Sequence, residues 1–173
     1  MRISYTMDRE TYLLHQTPNE CAKDLLQFIP LEHGDIVAEP FRGEGAFFNN
    51  FPEYVEKKWA EKEEGIDYTE LSDYDWVITN PPFRLQTDKE KRVNSFWYLL
   101  DYYSTRARKG IAFLGNDMCF STLTPRRQSL LKERGWSITK VVVCSIKKWR
   151  GRYFFFILQK NRDGFMDYLK SNY

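Results

Sequence analysis

The clearest alternation of apolar and polar positions lies near the end of the chain. Apolar, β-branched and aromatic residues dominate the segments 137–144 and 153–158. Between them, residues 147–152 include four Lys or Arg side chains and Gly151. Two strand-forming runs on either side of a short glycine-containing segment are typical of a β-hairpin. We therefore predict two antiparallel strands joined by a basic turn.

Earlier segments alternate between strand-like and helix-like patterns. Short apolar runs predict strands over 35–39, 55–60, 75–79 and 111–114. Helical spacing and start signals predict helices over 17–29, 94–106 and 125–133, with another beginning near Ala46. Strands that alternate with helices form mostly parallel sheets. The pattern therefore predicts an α/β fold whose sheet finishes in the antiparallel hairpin.

Two segments carry more specific predictions of local structure. At the first helix, Thr17 is predicted as the N-cap, Pro18 as the first helical residue and Glu20 as the partner in a capping box. The polar segment 84–92 lacks periodicity and is predicted to be a loop beside the substrate, closing over it or ordering when nucleic acid binds.

The strand over 75–79 ends in the loop Asn80-Pro81-Pro82-Phe83. Proline continues neither a sheet nor a helix, so the strand delivers a rigid polar loop. The side-chain oxygen of Asn80 and the carbonyl of Pro81 can each accept one N–H of an exocyclic amine. Phe83 offers a face on which an extruded base can stack. The structural alternative is a strand end followed by a Pro-Pro turn and a buried Phe.

A second motif follows the first predicted strand. The strand runs directly into Pro40 and then into Gly43 and Gly45. Glycines let the backbone approach a ligand at the carboxyl end of a strand, where open α/β sheets bind nucleosides. Glu61 lies 22 residues beyond Glu39, near the spacing at which an acidic residue reaches ribose hydroxyls in βαβ units.

Two other interpretations of this acidic region remain open. In one, Glu61 belongs to a solvated charge run with Glu63 and Glu64. In the other, Ile66 and Asp67 end the second strand and Asp67 takes the ribose role.

The two motifs together, in this order, resemble the S-adenosylmethionine-dependent N6-adenine DNA methyltransferases of the Asn-Pro-Pro-Phe type, in the compact form of phage and viral enzymes. Residues 37–48 look like that family's cofactor loop, and Asn80 to Phe83 look like its catalytic motif. The resemblance implies a Rossmann-like class I methyltransferase fold, S-adenosylmethionine as cofactor, and methyl transfer to adenine N6 in DNA. It covers most of residues 17–83 through these motifs, and the rest through the strand pattern.

The resemblance also implies roles for individual residues. The catalytic residues would be Asn80, Pro81, Pro82 and Phe83. The cofactor-binding residues would be Thr17, Pro18, Glu39, Pro40, Gly43, Gly45, Glu61, Asp67, Tyr68 and Asn80. Among these, Glu39 would serve the charged amino-acid end of the cofactor, while Asp67 and Tyr68 would serve its adenine. A capped surface helix explains Thr17 and Pro18 equally well.

The charge of the chain is divided between its halves. Residues 1–83 carry 7 Lys and Arg against 17 Asp and Glu, and residues 84–173 carry 19 against 7, so −10 and +12 give the net +2. A basic half predicts contact with nucleic acid. The predicted contact residues are Arg84, Lys89, Lys91, Arg92, Lys147, Lys148, Arg150 and Arg152. The alternative is that the two charge sets pair across the fold. Trp149 either stacks a base or packs on the sheet edge.

Length and composition limit the domain organisation, the location and the kinds of site that the chain can have. The 173 residues predict one methyltransferase domain without a separate target-recognition domain. We expect an intracellular protein with no membrane contact, because no apolar run approaches the roughly 20 residues of a membrane span. The scattered residues Cys21, Cys119 and Cys144 predict neither a disulfide framework nor a metal site. His15 and His33 are predicted to be surface or helix-flanking residues with no role as a base.

The sequence departs from the full family in two ways. The link between residue 61 and the strand over 75–79 is short, which indicates that a helix-strand-helix unit of larger methyltransferases is missing. Sequence specificity must then come from the loops, from a partner subunit or from a homo-oligomer. The competing functions are RNA adenine-N6 methylation, protein glutamine methylation, and a role as a cofactor-binding, nucleic-acid-holding subunit that needs a partner for activity.

Overall fold

The structure is a computed structural model that describes residues 15–86 and 92–169, without the side chains of 84–86 and 92–94. One six-stranded sheet has the order β2-β1-β3-β6-β8-β7. These strands are β1 (Ile36–Glu39), β2 (Glu56–Trp59), β3 (Trp76–Thr79), β6 (Gly110–Asn116), β7 (Trp136–Cys144) and β8 (Tyr153–Lys160). Strands β2, β1, β3 and β6 pair in parallel, whereas β8 pairs antiparallel with both β6 and β7. The predicted α/β fold with an antiparallel terminal hairpin is confirmed.

The described helices cover both faces of this sheet. They are α1 (Asn19–Leu26), α2 (Ser95–Ser104), α3 (Met118–Thr122) and α4 (Pro125–Glu133), with 3-10 turns at Phe48–Asn50, Lys62–Glu64 and Tyr68–Glu70. The bounds of α4 match the prediction, because the Thr124 side chain accepts a hydrogen bond from the Arg127 N–H and Pro125 occupies the first turn. None of the described helices is long and apolar enough to cross a membrane.

Alternation along the central strands divides the core into two layers. Val77 of β3 and Phe113 of β6 pack on the side of α2, whereas Ile78 and Leu114 pack on the side of α1. Successive side chains of a strand point to opposite faces, and here both faces are covered. This is why the middle strands are continuous apolar runs.

The helix predicted near Ala46 is wrong. The chain forms only the 3-10 turn Phe48–Asn50 there. The Asn50 side chain donates to the Ala46 carbonyl at 2.8 Å and to the Asn19 side chain at 2.8 Å. Such side-chain bonds compete with helical backbone bonds, and Pro52 follows directly.

Two further local predictions need correction. Pro18, not Thr17, occupies the N-cap position of α1, and no side chain caps this helix, so the predicted capping box of Thr17 and Glu20 is absent. The segment predicted as a loop contains two paired strands, β4 (Arg84–Gln86) and β5 (Arg92–Asn94). Residues 87–91, including the predicted contacts Lys89 and Lys91, lie outside the described residues.

Candidate active site

A cleft opens where the order of the sheet reverses. From β1 the chain pairs β2 on one side and then crosses to β3 on the other, and ligands of open α/β sheets bind at such a switch point. The cleft has about 620 Å³ of space free of protein atoms, including its open mouth. Thirteen residues line it: His15, Gln16, Thr17, Glu39, Phe41, Arg42, Gly43, Ala46, Glu61, Asn80, Pro81, Pro82 and Phe83. Both predicted motifs therefore meet in one cavity.

Glu39 stands at the carboxyl end of β1 and is only 2% exposed. Its Oε2 accepts a hydrogen bond from the Phe48 N–H at 2.7 Å. Burial raises the pKa of Glu39 well above its usual value, against the opposing effects of the Phe48 N–H and the charge of Arg42. A cation placed beside this carboxyl would favour its ionised form and pair with it.

Glu61 follows β2 and fixes the glycine turn. Its Oε2 accepts from the Gly43 N–H at 2.6 Å, and its Oε1 accepts from the Glu63 N–H at 3.3 Å. A carboxylate has about four lone-pair sites, so these bonds leave capacity for a ligand. Of the three glutamates considered in the acidic run, Glu61 lines the cleft, whereas Glu64 pairs with Arg42.

Glycine is favoured at position 43 by the backbone conformation and by the Gln16 side chain beside it. The φ of Gly43 is +53°, and a Cβ at this position would lie 2.2 Å from the Gln16 side-chain oxygen. Glycine adopts this left-handed conformation without a steric penalty. The turn therefore brings the backbone of the 39–45 segment against the cleft, as the spacing predicts.

Asn80 has a defined orientation at the end of β3. Its Nδ2 donates to the carbonyl of His15 at 3.2 Å. Because a carbonyl only accepts hydrogen bonds, the amide must face it with its NH2 group, and the side-chain oxygen lies on the other side. The side chain of Ser95 donates to the Pro82 carbonyl and fixes the following turn. Asn80 thus presents an oriented acceptor in the cleft.

His15 and Phe83 form the wall next to Asn80. Their rings meet edge to face with centroids 5.3 Å apart. Burial, followed by the positive charge of Lys148, lowers the pKa of His15. Our sequence prediction gave His15 no part in the site. Its position two residues before Thr17, which the resemblance places beside the cofactor, is the signal that could have identified it.

Several predicted cofactor residues lie outside the cleft lining. Pro18, Pro40 and Gly45 each adjoin a lining residue in the chain. Asp67 caps a 3-10 turn, with its Oδ1 accepting from the Thr69 N–H at 2.9 Å. Tyr68 is buried behind Phe41, with ring centroids 5.3 Å apart. Phe41 and Arg42 are lining residues that sequence reasoning missed.

A second hollow lies on the other side of the Pro81–Phe83 loop. Its lining combines that loop with residues from α2, β6 and α3: Ser95, Phe96, Leu114, Gly115, Asn116, Met118 and Cys119. Met118 is 62% exposed at its edge. The loop therefore separates two cavities that share the same three residues.

The basic turn between β7 and β8 presents its charges to solvent. Lys147, Lys148, Arg150 and Arg152 are exposed. Trp149 is only 8% exposed and packs on Tyr153 with ring centroids 4.6 Å apart. This burial favours packing over base stacking for Trp149. Because the charge of Lys148 acts on His15, the turn lies near the cleft. Arg84 and Arg92 lie in β4 and β5.

Comparison with known proteins gives matches in structure and none in sequence. No protein-family model matches the chain. No curated protein sequence matches it either.

Three solved structures illustrate the structural likeness. A modification subunit of a type I restriction enzyme from Vibrio vulnificus is 13% identical with a TM-score of 0.62, over 86% of this chain and 45% of that one. A protein of Listeria monocytogenes described as a class I S-adenosylmethionine-dependent methyltransferase is 11% identical with a TM-score of 0.58, over 82% and 58%. The magnesium protoporphyrin IX methyltransferase of Synechocystis PCC 6803, with bound S-adenosylmethionine, is 8% identical with a TM-score of 0.53, over 91% and 86%.

The chain spans about half the length of the first two of these proteins. The chain has the Rossmann-like fold of the class I S-adenosylmethionine-dependent methyltransferases.

Proposed function

We propose that this protein is an S-adenosylmethionine-dependent methyltransferase that methylates the N6 amine of adenine in DNA. The observation that carries the proposal is the oriented amide of Asn80, which lies in one cleft with Phe83 and with the buried carboxyls of Glu39 and Glu61. The fold supports methyl transfer in general, and the named residues support this acceptor.

The residues of the cleft fit this cofactor. The cleft lies at the switch point between β1 and β3, where open α/β sheets bind their ligands. Glu61 offers lone pairs to ribose hydroxyls, and the buried Glu39 suits a positively charged group. Gly43 keeps the space beside Gln16 free of a Cβ. When bound, S-adenosylmethionine supplies an electrophilic methyl group on a sulfonium sulfur.

We assign binding of the acceptor adenine to the loop of residues 80–83 and to the second hollow. An adenine would leave its stack at a cost of a few kcal/mol and lie against Phe83. The Asn80 side-chain oxygen and the Pro81 carbonyl would each accept one N–H of the amine, which holds the nitrogen lone pair toward the methyl group. Alignment of this kind supplies a large part of the rate of a transfer reaction.

Charge supports nucleic acid as the acceptor. Residues 147–152 carry four exposed cations, of which Lys148 acts on His15 in the cleft, and such a cluster matches a phosphate backbone. We assign DNA over RNA on the resemblance to the DNA enzymes. The likeness to a restriction-enzyme modification subunit is consistent with a partner subunit that supplies target recognition.

The proposal is tested by methyl-labelled cofactor with duplex DNA, single-stranded DNA, RNA and protein lysate as separate acceptors, followed by nucleoside and amino-acid analysis. We expect N6-methyladenine in DNA. Asn80→Ala should reduce the rate by about 100-fold or more, while Asn49→Ala, which removes an exposed amide outside the cleft, should leave it unchanged.

The other outcomes separate the alternatives. Label in RNA adenine or in protein glutamine would replace DNA as the substrate, since both acceptors carry the same NH2 group. Cofactor binding without methyl transfer would indicate a subunit that needs its partner. A charge-removing variant, Arg150→Gln with Arg152→Gln, should weaken DNA binding and lower its salt dependence by about 2 in the slope of log K against log salt.

A further inference from the structure

His15 has no side-chain role in the proposed transfer, yet it touches both residues that hold the acceptor. Its ring lies edge to face with Phe83 at 5.3 Å, and its carbonyl accepts from Asn80 at 3.2 Å. The imidazole lines the same cleft as Asn80 and Pro81, the two residues that would hold the reacting amine.

The imidazole Nδ1 lacks a partner in the structure as described. This atom is shielded from solvent and forms no hydrogen bond with the described residues. A buried polar nitrogen without a partner costs about 1–3 kcal/mol. Such a cost is repaid when a ligand brings the missing partner, so the atom indicates an interaction made in the complex.

The charges around His15 favour the neutral ring. Burial and the positive charge of Lys148 lower its pKa below the ordinary value of 6.5. Three other charged groups, Glu39, Arg42 and Glu61, line the same cleft. At neutral pH the ring is uncharged, and one of its two nitrogens carries a lone pair that can take a proton.

We propose that His15 is a catalytic residue whose Nδ1 accepts the proton that the acceptor amine must lose. This inference rests on the proposed function. The amine nitrogen forms the new N–C bond as the methyl group leaves sulfur, and the electron pair of the broken C–S bond stays on sulfur. After the transfer, one of the two N–H groups turns from its carbonyl acceptor to Nδ1. Its bond breaks, the electron pair returns to nitrogen, and the proton goes to Nδ1. The proton passes to solvent once the product has left the cleft.

The test is the pH dependence of kcat for the wild type, His15→Asn, His15→Gln and the control His33→Ala. His33 is exposed and stacks on Tyr54 at 4.5 Å, away from the cleft lining. The wild-type rate should fall in acid with an apparent pKa below 6.5, because a protonated ring cannot accept a proton. Both His15 variants should be about 100-fold slower and should lose this acid limb. His33→Ala should match the wild type.

Binding of the demethylated cofactor product, measured by calorimetry, should be unchanged in the His15 variants, which separates proton transfer from cofactor binding. A wild type that methylates adenine, with His15 variants that keep its rate and acid limb, would overturn the inference and leave the proposed function standing. If another acceptor is methylated, the same pH comparison is made with that acceptor. If no acceptor is methylated, both proposals fail.

Discussion

The charged residues at the two ends of the parallel strands have different partners. We call the end where these strands begin the amino edge of the sheet, and the end where they finish the carboxyl edge. At the amino edge, Asp35 precedes β1 and pairs with Lys109, which precedes β6, at 2.6 Å. Asp75 precedes β3 and pairs with Arg108 at 2.9 Å. At the carboxyl edge, Glu39 and Glu61 are buried and accept hydrogen bonds from backbone N–H groups. The amino edge thus resembles a structural site, whereas the two carboxyls of the carboxyl edge line the cleft that we propose binds the cofactor.

The pH dependence of stability should differ in sign between the edges. At Asp75, burial acts to raise the pKa, but the Ile36 N–H and Arg108 outweigh it, so the pKa is lowered. Its stabilising contribution is therefore present above the ordinary value of 3.8 and lost as the pH falls through the folded pKa. For Glu39, burial raises the pKa, so stability falls as the pH rises from 4.5 through the folded pKa. Ionisation of Glu39 therefore lowers the free energy of unfolding, and a bound cationic ligand would raise it again.

The largest effect on stability should come from Asp35→Ala. The Asp35 side chain is 2% exposed and accepts from Lys109 and from the Glu32 N–H at 2.9 Å. Its removal leaves the Glu32 N–H without its acceptor and takes from Lys109 the buried one of its two carboxylate partners, and should lower the free energy of unfolding by about 3 kcal/mol. Urea denaturation measures this change, with Asp163→Ala at an exposed position as control. Methyl transfer by the folded protein should be unchanged, and its loss would contradict the division of the two edges.

Glu61→Ala should weaken cofactor binding. Removal of the carboxylate frees the Gly43 N–H and deletes the proposed ribose ligand, so the dissociation constant of the cofactor should rise by about 10-fold to 30-fold, or about 1.5–2 kcal/mol. Calorimetry with the demethylated product measures this change. Glu63→Ala, which alters an exposed neighbour outside the cleft lining, is the control. An equal weakening in both variants would favour the interpretation of residues 61–64 as a solvated charge run.

Much of the candidate site can be predicted from the sequence, because it depends on local patterns. Glu61 was found by its spacing from Glu39, and Asn80 by its place after an apolar strand. The roles of His15 and Ser95 were missed because they depend on folding: the bond from Asn80 to the His15 carbonyl joins residues 65 positions apart. The helix near Ala46 failed for a local reason, since the Asn50 side chain competes for the backbone there.

Glu39→Gln should raise stability and lower function in the same molecule. The amide keeps an oxygen for the Phe48 N–H and removes a carboxyl that is costly to ionise. At neutral pH the Tm should rise by a few degrees, and the decline in stability above pH 4.5 should become shallower. Cofactor affinity should fall, because the amide carries no charge. The exposed Glu56→Gln is the control, and a lower Tm for Glu39→Gln would show that the ionised carboxyl stabilises the fold.

Glu32→Ala should have the smallest effect, although its side chain meets the same lysine as Asp35. Glu32 lies 2.7 Å from the Lys109 Nζ, but its side chain is 70% exposed, whereas the side chain of Asp35 is 2% exposed. Exposed ion pairs contribute little because water and salt screen them, so the free energy of unfolding should change by less than about 0.5 kcal/mol and the change should shrink as salt is added. Urea denaturation at low and high ionic strength measures both values. A loss equal to that of Asp35→Ala would mean that pairing with Lys109, and not burial, determines the stability of the amino edge.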